Sequence, residues 1–165
     1  MALRTIRIMG EDSVLEKISR PVKSMTPRIA DLIEDMLETM YDAYGVGLAA
    51  PQVGILKRIV VIDCSEERDE PYVFINPEIL ETDGEQTGDE GCLSLPGKVG
   101  TVTRPNYVKV RALNENMEEF VLEAEGLLAR AVCHECDHLD GILYPSHVTD
   151  GLRDVNYAEE EEEEE

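Results

Sequence analysis

The stretch LLARAVCHECDHL, Leu127 to Leu139, carries two of the chain's three histidines, His134 and His138, four residues apart. Gly126 opens it and Gly141 closes it, which predicts a helix. On a helix, positions i and i+4 share one face, so both imidazoles can reach a single cation. Glu135 follows the first histidine and sits where it can serve as base for a water at that cation. The pattern points to metal-assisted hydrolysis.

Such a site needs a third protein ligand and one open position. His147 is near in sequence but lies beyond Gly141 and Pro145, which break the helix. Cys92, in Glu90-Gly91-Cys92-Leu93-Ser94, sits in a polar, Gly-flanked segment, Gly84 to Gly97, read as a loop able to present a thiolate. The residues alone leave Cys92 balanced between ligand and small core residue. Cys133 and Cys136 form a C-x-x-C, but on a helix they point about 100° and about 200° away from His134. Core packing is the expected task for both.

Working outward, Thr26-Pro27 is a helix start, with a hydroxyl cap followed by proline at the first helical position. Ile29, Leu32, Ile33, Met36, Leu37 and Met40 then recur at helical spacing until Gly45. Residues 1–25 read as an irregular arm with one helical turn around Ser13 to Ile18. Strands are expected at Arg58–Cys64, Tyr72–Ile75, Val99–Thr103, Tyr107–Leu113 and Glu119–Ala124. The order of elements is α+β, in one domain over residues 1–150. Residues 151–165 read as an acidic tail without order, because like charges repel and nothing apolar is available to bury.

The formal net charge is −21, and without the seven glutamates at 159–165 it is still about −14. Such a surface repels phosphates and anionic lipid, so neither a nucleic acid nor a membrane is an expected partner. No apolar run has signal-peptide length or approaches the ~18 residues of a membrane span. A cytoplasmic protein with reduced cysteines is expected.

One more stretch stands out: Gly45-Val46-Gly47-Leu48-Ala49-Ala50-Pro51-Gln52. It is no phosphate loop, but its small residues let a backbone approach a ligand closely. Together GVGLAAPQ (45–52), EGCLS (90–94) and HECDH (134–138) resemble the peptide deformylase family, whose pattern has three such segments in this order. The resemblance spans nearly the whole chain to about Tyr144.

The resemblance implies a fold of small antiparallel or mixed sheets around a central C-terminal helix carrying the HExxH string, with an N-terminal helix. It implies removal of the N-formyl group from formyl-methionyl nascent polypeptides, with release of formate. Cys92, His134 and His138 match the family's metal ligands, and Glu135 its general acid and base. Gln52 and the backbone N–H of Leu93 match the oxyanion donors. Val46, Gly47 and Gly91 match positions that bind the peptide like an added strand. Arg104 matches a residue near the substrate's approach path. The resemblance favours Fe(2+) in the cell, with Zn(2+), Ni(2+) or Co(2+) in purified protein, and the donor set suits all four.

Two departures stand out. Cys133 occupies a position that is often Gln in the family. A long C-terminal helix is not expected after Pro145 and Gly151, nor ribosome docking through a basic one; transient ribosome association remains among the expected partner contacts. A zincin-type peptidase would share the His-Glu-x-x-His helix but would need His147, Asp150 or Asp154 as third ligand. A non-catalytic relative that binds chains through its acidic surface is the remaining alternative.

Overall fold

A computed structural model describes residues 2–155. The first helix, α1 (Pro27–Asp42), begins as the sequence predicts: the Thr26 hydroxyl accepts from Ile29 N–H at 3.2 Å and Pro27 follows. Its apolar stripe, Leu32, Ile33, Met36 and Met40, is buried. Short strands follow: β1 (Gly47–Ala49), β2 (Ile59–Ile62) and β3 (Tyr72–Asp83). Next come β4 (Gln86–Cys92), β5 (Leu95–Arg104), β6 (Tyr107–Leu113) and β7 (Glu119–Glu125). The second helix, α2 (Gly126–Leu139), carries the HECDH string, and β8 (Arg153–Asp154) closes the described chain.

Two sheets frame α2. One has the order β1-β2-β3-β6-β7, the other β4-β5-β8, and every named pair is antiparallel. Ala129, Val132, Cys133 and Leu139 of α2 pack with Val60, Ile62, Phe74, Val108 and Val110 of the larger sheet. On its other side, that sheet packs Ile59, Val61, Val73 and Ile75 against α1. The strands therefore alternate between two apolar layers, as a period of two requires. The N-terminal arm ties these parts together: Arg7 N–H donates to Gln52 C=O and Met9 N–H to Ser94 C=O, at 2.7 and 2.8 Å. Its one turn, a 3-10 helix at Ser13–Glu16, lies where a helical turn is expected.

Three expectations are corrected. Gly84 to Gly97 is not a loop: most of it is the β4–β5 hairpin, with Glu90 opposite Gly100 and Cys92 opposite Leu95. Its inward residues are polar or glycine because they serve a site, which hides the strand from a hydrophobic pattern. β3 continues well past Ile75 to Asp83; a register shift after Ile75 accommodates Pro77, which has no N–H for the ladder. Order also extends beyond residue 150, because Arg153 and Asp154 pair with Val99 and Lys98. The polyglutamate stretch lies outside the described residues.

Candidate active site

Arg130, His134 and His138 form one stripe along α2, and all three are buried. The β4–β5 hairpin ends in a two-residue turn, Leu93-Ser94, that places Cys92 beside this stripe. Donor atoms of Cys92, His134 and His138 all lie within 4.8 Å of one another. Cys92 Sγ is 3.3 Å from His138 Nε2. Among the described residues this is the one such trio of metal-binding side chains. Burial pushes His138 down to about 3, so its imidazole is neutral and its lone pair is available. One thiol and two imidazoles, with the cleft on the remaining side, fit a divalent transition ion with an open position.

Glu90 holds this trio from behind. It is 6% exposed, and His134 Nδ1 bonds Oε1. Arg104 Nη2 and Arg130 Nη1 each donate to its carboxylate at 2.7 Å. Desolvation opposes ionisation of Glu90, but His134 and Arg104 outweigh it and hold the carboxyl at about 2. A carboxylate on Nδ1 leaves Nε2 as the outward-facing nitrogen of His134 and fixes the ring.

Glu135 lies on the cleft side. Its Oε1 is 3.7 Å from His134 Nε2, and its buried Oε2 has no hydrogen-bond partner among the described residues. Burial pushes its carboxyl up to about 7, and a cation held next to it lowers that value. An unpartnered carboxylate oxygen beside an open ligand position suits a proton acceptor. Gly47 leaves the room it needs: a Cβ there would meet Glu135 Cγ at 3.0 Å. Gln52, also buried, is locked at both ends of its amide. Its Oε1 accepts from Ala49 N–H at 2.9 Å, and its Nε2 donates to Ser94 Oγ at 3.1 Å while lying 3.4 Å from Cys92 Sγ.

Cys92, His134, Glu135 and the edge of Glu90 face a cleft of about 750 Å³, walled by Val46, Gly47, Gly91, Leu93, Leu127 and Ala131 among others, while Gln52 and His138 are buried next to it. A second depression, of about 790 Å³, lies at the N-terminal end of α1 and contains none of these groups. No helix among the described residues is long and apolar enough to cross a membrane.

Comparison with known proteins agrees with this geometry. Residues 3–153 match the family described as "Polypeptide deformylase". The chain belongs to the polypeptide deformylase family. It is 66% identical to a peptide deformylase of Lachnoclostridium phytofermentans, covering 99% of this chain and 100% of that one. It is 65% identical to one of Agathobacter rectalis, covering 98% and 100%. Among solved structures, a peptide deformylase from Legionella pneumophila superposes with a TM-score of 0.86 at 43% identity, covering 90% of this chain and 87% of that one. One from Ehrlichia chaffeensis in complex with actinonin has a TM-score of 0.86 at 36% identity and 91% coverage of both chains. The α+β deformylase fold expected from sequence is therefore present. Deformylases are metal-dependent enzymes that remove the formyl group from N-terminal formylmethionine.

Most of the residues singled out in the sequence converge on the deformylase cleft. Arg104 does not. It is 6% exposed, clamped between Glu90 and Asp137 behind the trio, and is no part of the cleft wall. Its position in the sequence soon after EGCLS matches a residue near the approach path, but a buried guanidinium between two carboxylates is a structural ion pair. The peptidase alternative loses its ligands: His147 bonds Asp137, Asp150 bonds Thr101, and Asp154 pairs with Lys98. Cys133 and Cys136 pack with the core cluster, as expected. Sequence reasoning gave Glu90 no role. The only signal was spacing: Glu90 and Cys92 are two apart, which puts them on one face only once the segment is known to be a strand.

Proposed function

We propose that this deformylase works through Cys92, His134 and His138 as ligands of one divalent ion, with Glu135 as general base and acid. The observation that carries the reading is the Cys92–His134–His138 trio within 4.8 Å, with the orphaned Glu135 oxygen beside it. When bound, the ion supplies Lewis-acid polarisation of the formyl oxygen and a water of lowered pKa. Glu135 takes a proton from the attacking water and returns it to the amine as the formyl C–N bond breaks, giving formate and a free methionyl N-terminus. Gln52 Nε2, giving up its long 3.4 Å contact to Cys92 Sγ, and the N–H of Leu93 donate to the oxygen on which charge develops. The edge of β1 at Gly47, with the N–H of Val46, binds the peptide backbone opposite Gly91. Val46, Leu93, Leu127 and Ala131 supply an apolar wall for the methionine side chain.

Iron(II) is the proposed ion in the cell, with zinc, nickel or cobalt able to take its place in purified protein. The cytoplasm, where formylated chains are made, is the proposed location, with transient ribosome association as part of the same reading. The test is formate release from a formyl-Met peptide and its unformylated twin. Glu135→Ala should retain bound metal and lose nearly all formate release; an active Glu135→Ala protein shows that the proton goes elsewhere. Cleavage of an internal peptide bond without formate overturns the reading.

A further inference from the structure

β1 is a sheet edge only three residues long. Asp63 N–H donates to Val46 C=O at 2.8 Å, and Gly47 lies opposite Ile62. That alternation turns the peptide groups of Gly47 away from β2 and toward the cleft. A short edge with one open side frays unless something outside the sheet holds it.

The hold begins at Gly45. Its N–H donates to Met40 C=O at 3.0 Å, and its C=O accepts from Arg68 Nη2. Arg68 reaches across from the turn between β2 and β3, with its guanidinium 5.3 Å over the Tyr41 ring. That turn is itself fixed by Asp63, which is 0% exposed and whose carboxylate accepts from Tyr41 OH at 2.6 Å, Ser65 N–H at 2.9 Å and Glu70 N–H at 3.2 Å. The network also reaches the far wall of the cleft. A Cβ on Gly45 would lie 2.6 Å from Leu93 Cδ1, so a shift of Gly45 is felt at Leu93.

We propose that Arg68 is a positioning residue for substrate. By capping the Gly45 carbonyl from its seat on Tyr41, it fixes the Gly45–Gly47 edge to which the peptide backbone adds as a strand. The inference rests on the deformylase reading above. Arg68 lies outside the groups that do the chemistry, and an edge that holds the peptide backbone equally in ground and transition states contributes uniform binding. Its loss therefore appears in KM and not in kcat.

The experiment compares wild type, Arg68→Met and Arg68→Lys on formyl-Met-Ala-Ser and on formyl-Met, with circular dichroism as a check on folding. Arg68→Met keeps a long unbranched side chain but removes the guanidinium, and with it both the donor for Gly45 and the cation over Tyr41. It should raise KM for the tripeptide by up to about 10-fold, the bound set by one charge-assisted hydrogen bond if its whole energy goes into ordering the edge before the peptide adds. Its kcat should stay within about twofold, and formyl-Met should be affected far less. Arg68→Lys, which keeps a cationic donor, should recover most of the loss. Amide exchange at Gly45 to Gly47 should accelerate in Arg68→Met, a readout that needs no turnover.

An unchanged KM for the tripeptide, equal losses on both substrates or unchanged exchange overturns the inference. Wild-type protein that releases no formate overturns the deformylase reading and this inference with it, a result distinct from an active wild type that Arg68→Met leaves unaltered.

Discussion

Replacing Glu90 should separate two tasks that one carboxylate performs. It bonds His134 Nδ1, and it accepts from both Arg104 and Arg130, with all four side chains less than a tenth exposed. Glu90→Gln keeps the shape and one acceptor oxygen but removes the charge. A carboxylate behind a ligating histidine fixes its tautomer and raises its basicity, and losing it typically weakens metal binding about 10–100-fold. Glu90→Leu removes the acceptor altogether. Arg104 then retains only Asp137, and Arg130 is left with the neutral oxygens of Val102 and Gln86. Breaking a buried pair of this kind costs about 3–5 kcal/mol. At about 2–4 °C per kcal/mol for a chain of this length, the melting temperature falls by roughly 6–20 °C. Solvent screening does not reduce this figure, because the groups are buried. The assays are chelator competition for metal affinity and thermal melting of the metal-free protein. If Glu90→Gln binds metal as tightly as wild type, Glu90 does not set the His134 ring. If Glu90→Leu melts within a degree of wild type, the ion-pair network does not stabilise the fold.

Other perturbations test other parts of the site. Gly47→Ala brings a methyl group to 3.0 Å from Glu135 Cγ, so Glu135 must shift. Formate release should fall by about 10-fold or more with metal content unchanged, and an active variant would show that Glu135 tolerates displacement. Gln52→Glu keeps an acceptor for Ala49 N–H but loses the amide donor; kcat should drop on the order of 10²–10³. Equal rates for wild type and Gln52→Glu would remove Gln52 from the oxyanion site. Asp63 supplies a pH test away from the metal centre. Burial raises its pKa, but hydrogen bonds from Ser65, Tyr41 and Glu70 outweigh this and hold it below 3.8. A lowered folded pKa gives stability that is present above the unfolded value and is lost as pH falls through the folded one. Wild type should therefore lose urea stability more steeply below pH 3.8 than Asp63→Asn does. Parallel acid limbs would show that Asp63 titrates alike in both states.

The sequence by itself determined what depends on neighbours a few residues away. Thr26 and Pro27 start α1 because a cap needs only the next three residues. Tyr107–Leu113 is readable as β6 because its inward and outward positions alternate. His134, Glu135 and His138 sit together because a helix brings residues four apart onto one face. Those facts, with EGCLS and GVGLAAPQ, were enough to point to the family and to most of the cleft. The tertiary structure alone decided the rest. Glu90 reaches Arg104, Arg130 and His134 across separations of 14, 40 and 44 residues, which no local period records. Polar inward positions concealed β4 within what reads as a loop. Arg104 changed from a residue near the approach path to a buried ion-pair partner because the hairpin turns it behind the metal helix. Sequence names the side chains that carry out the chemistry. Which charges stand behind them, and what holds the open edge of β1, follow only from long-range pairing, because burial and partner choice are properties of the packed chain.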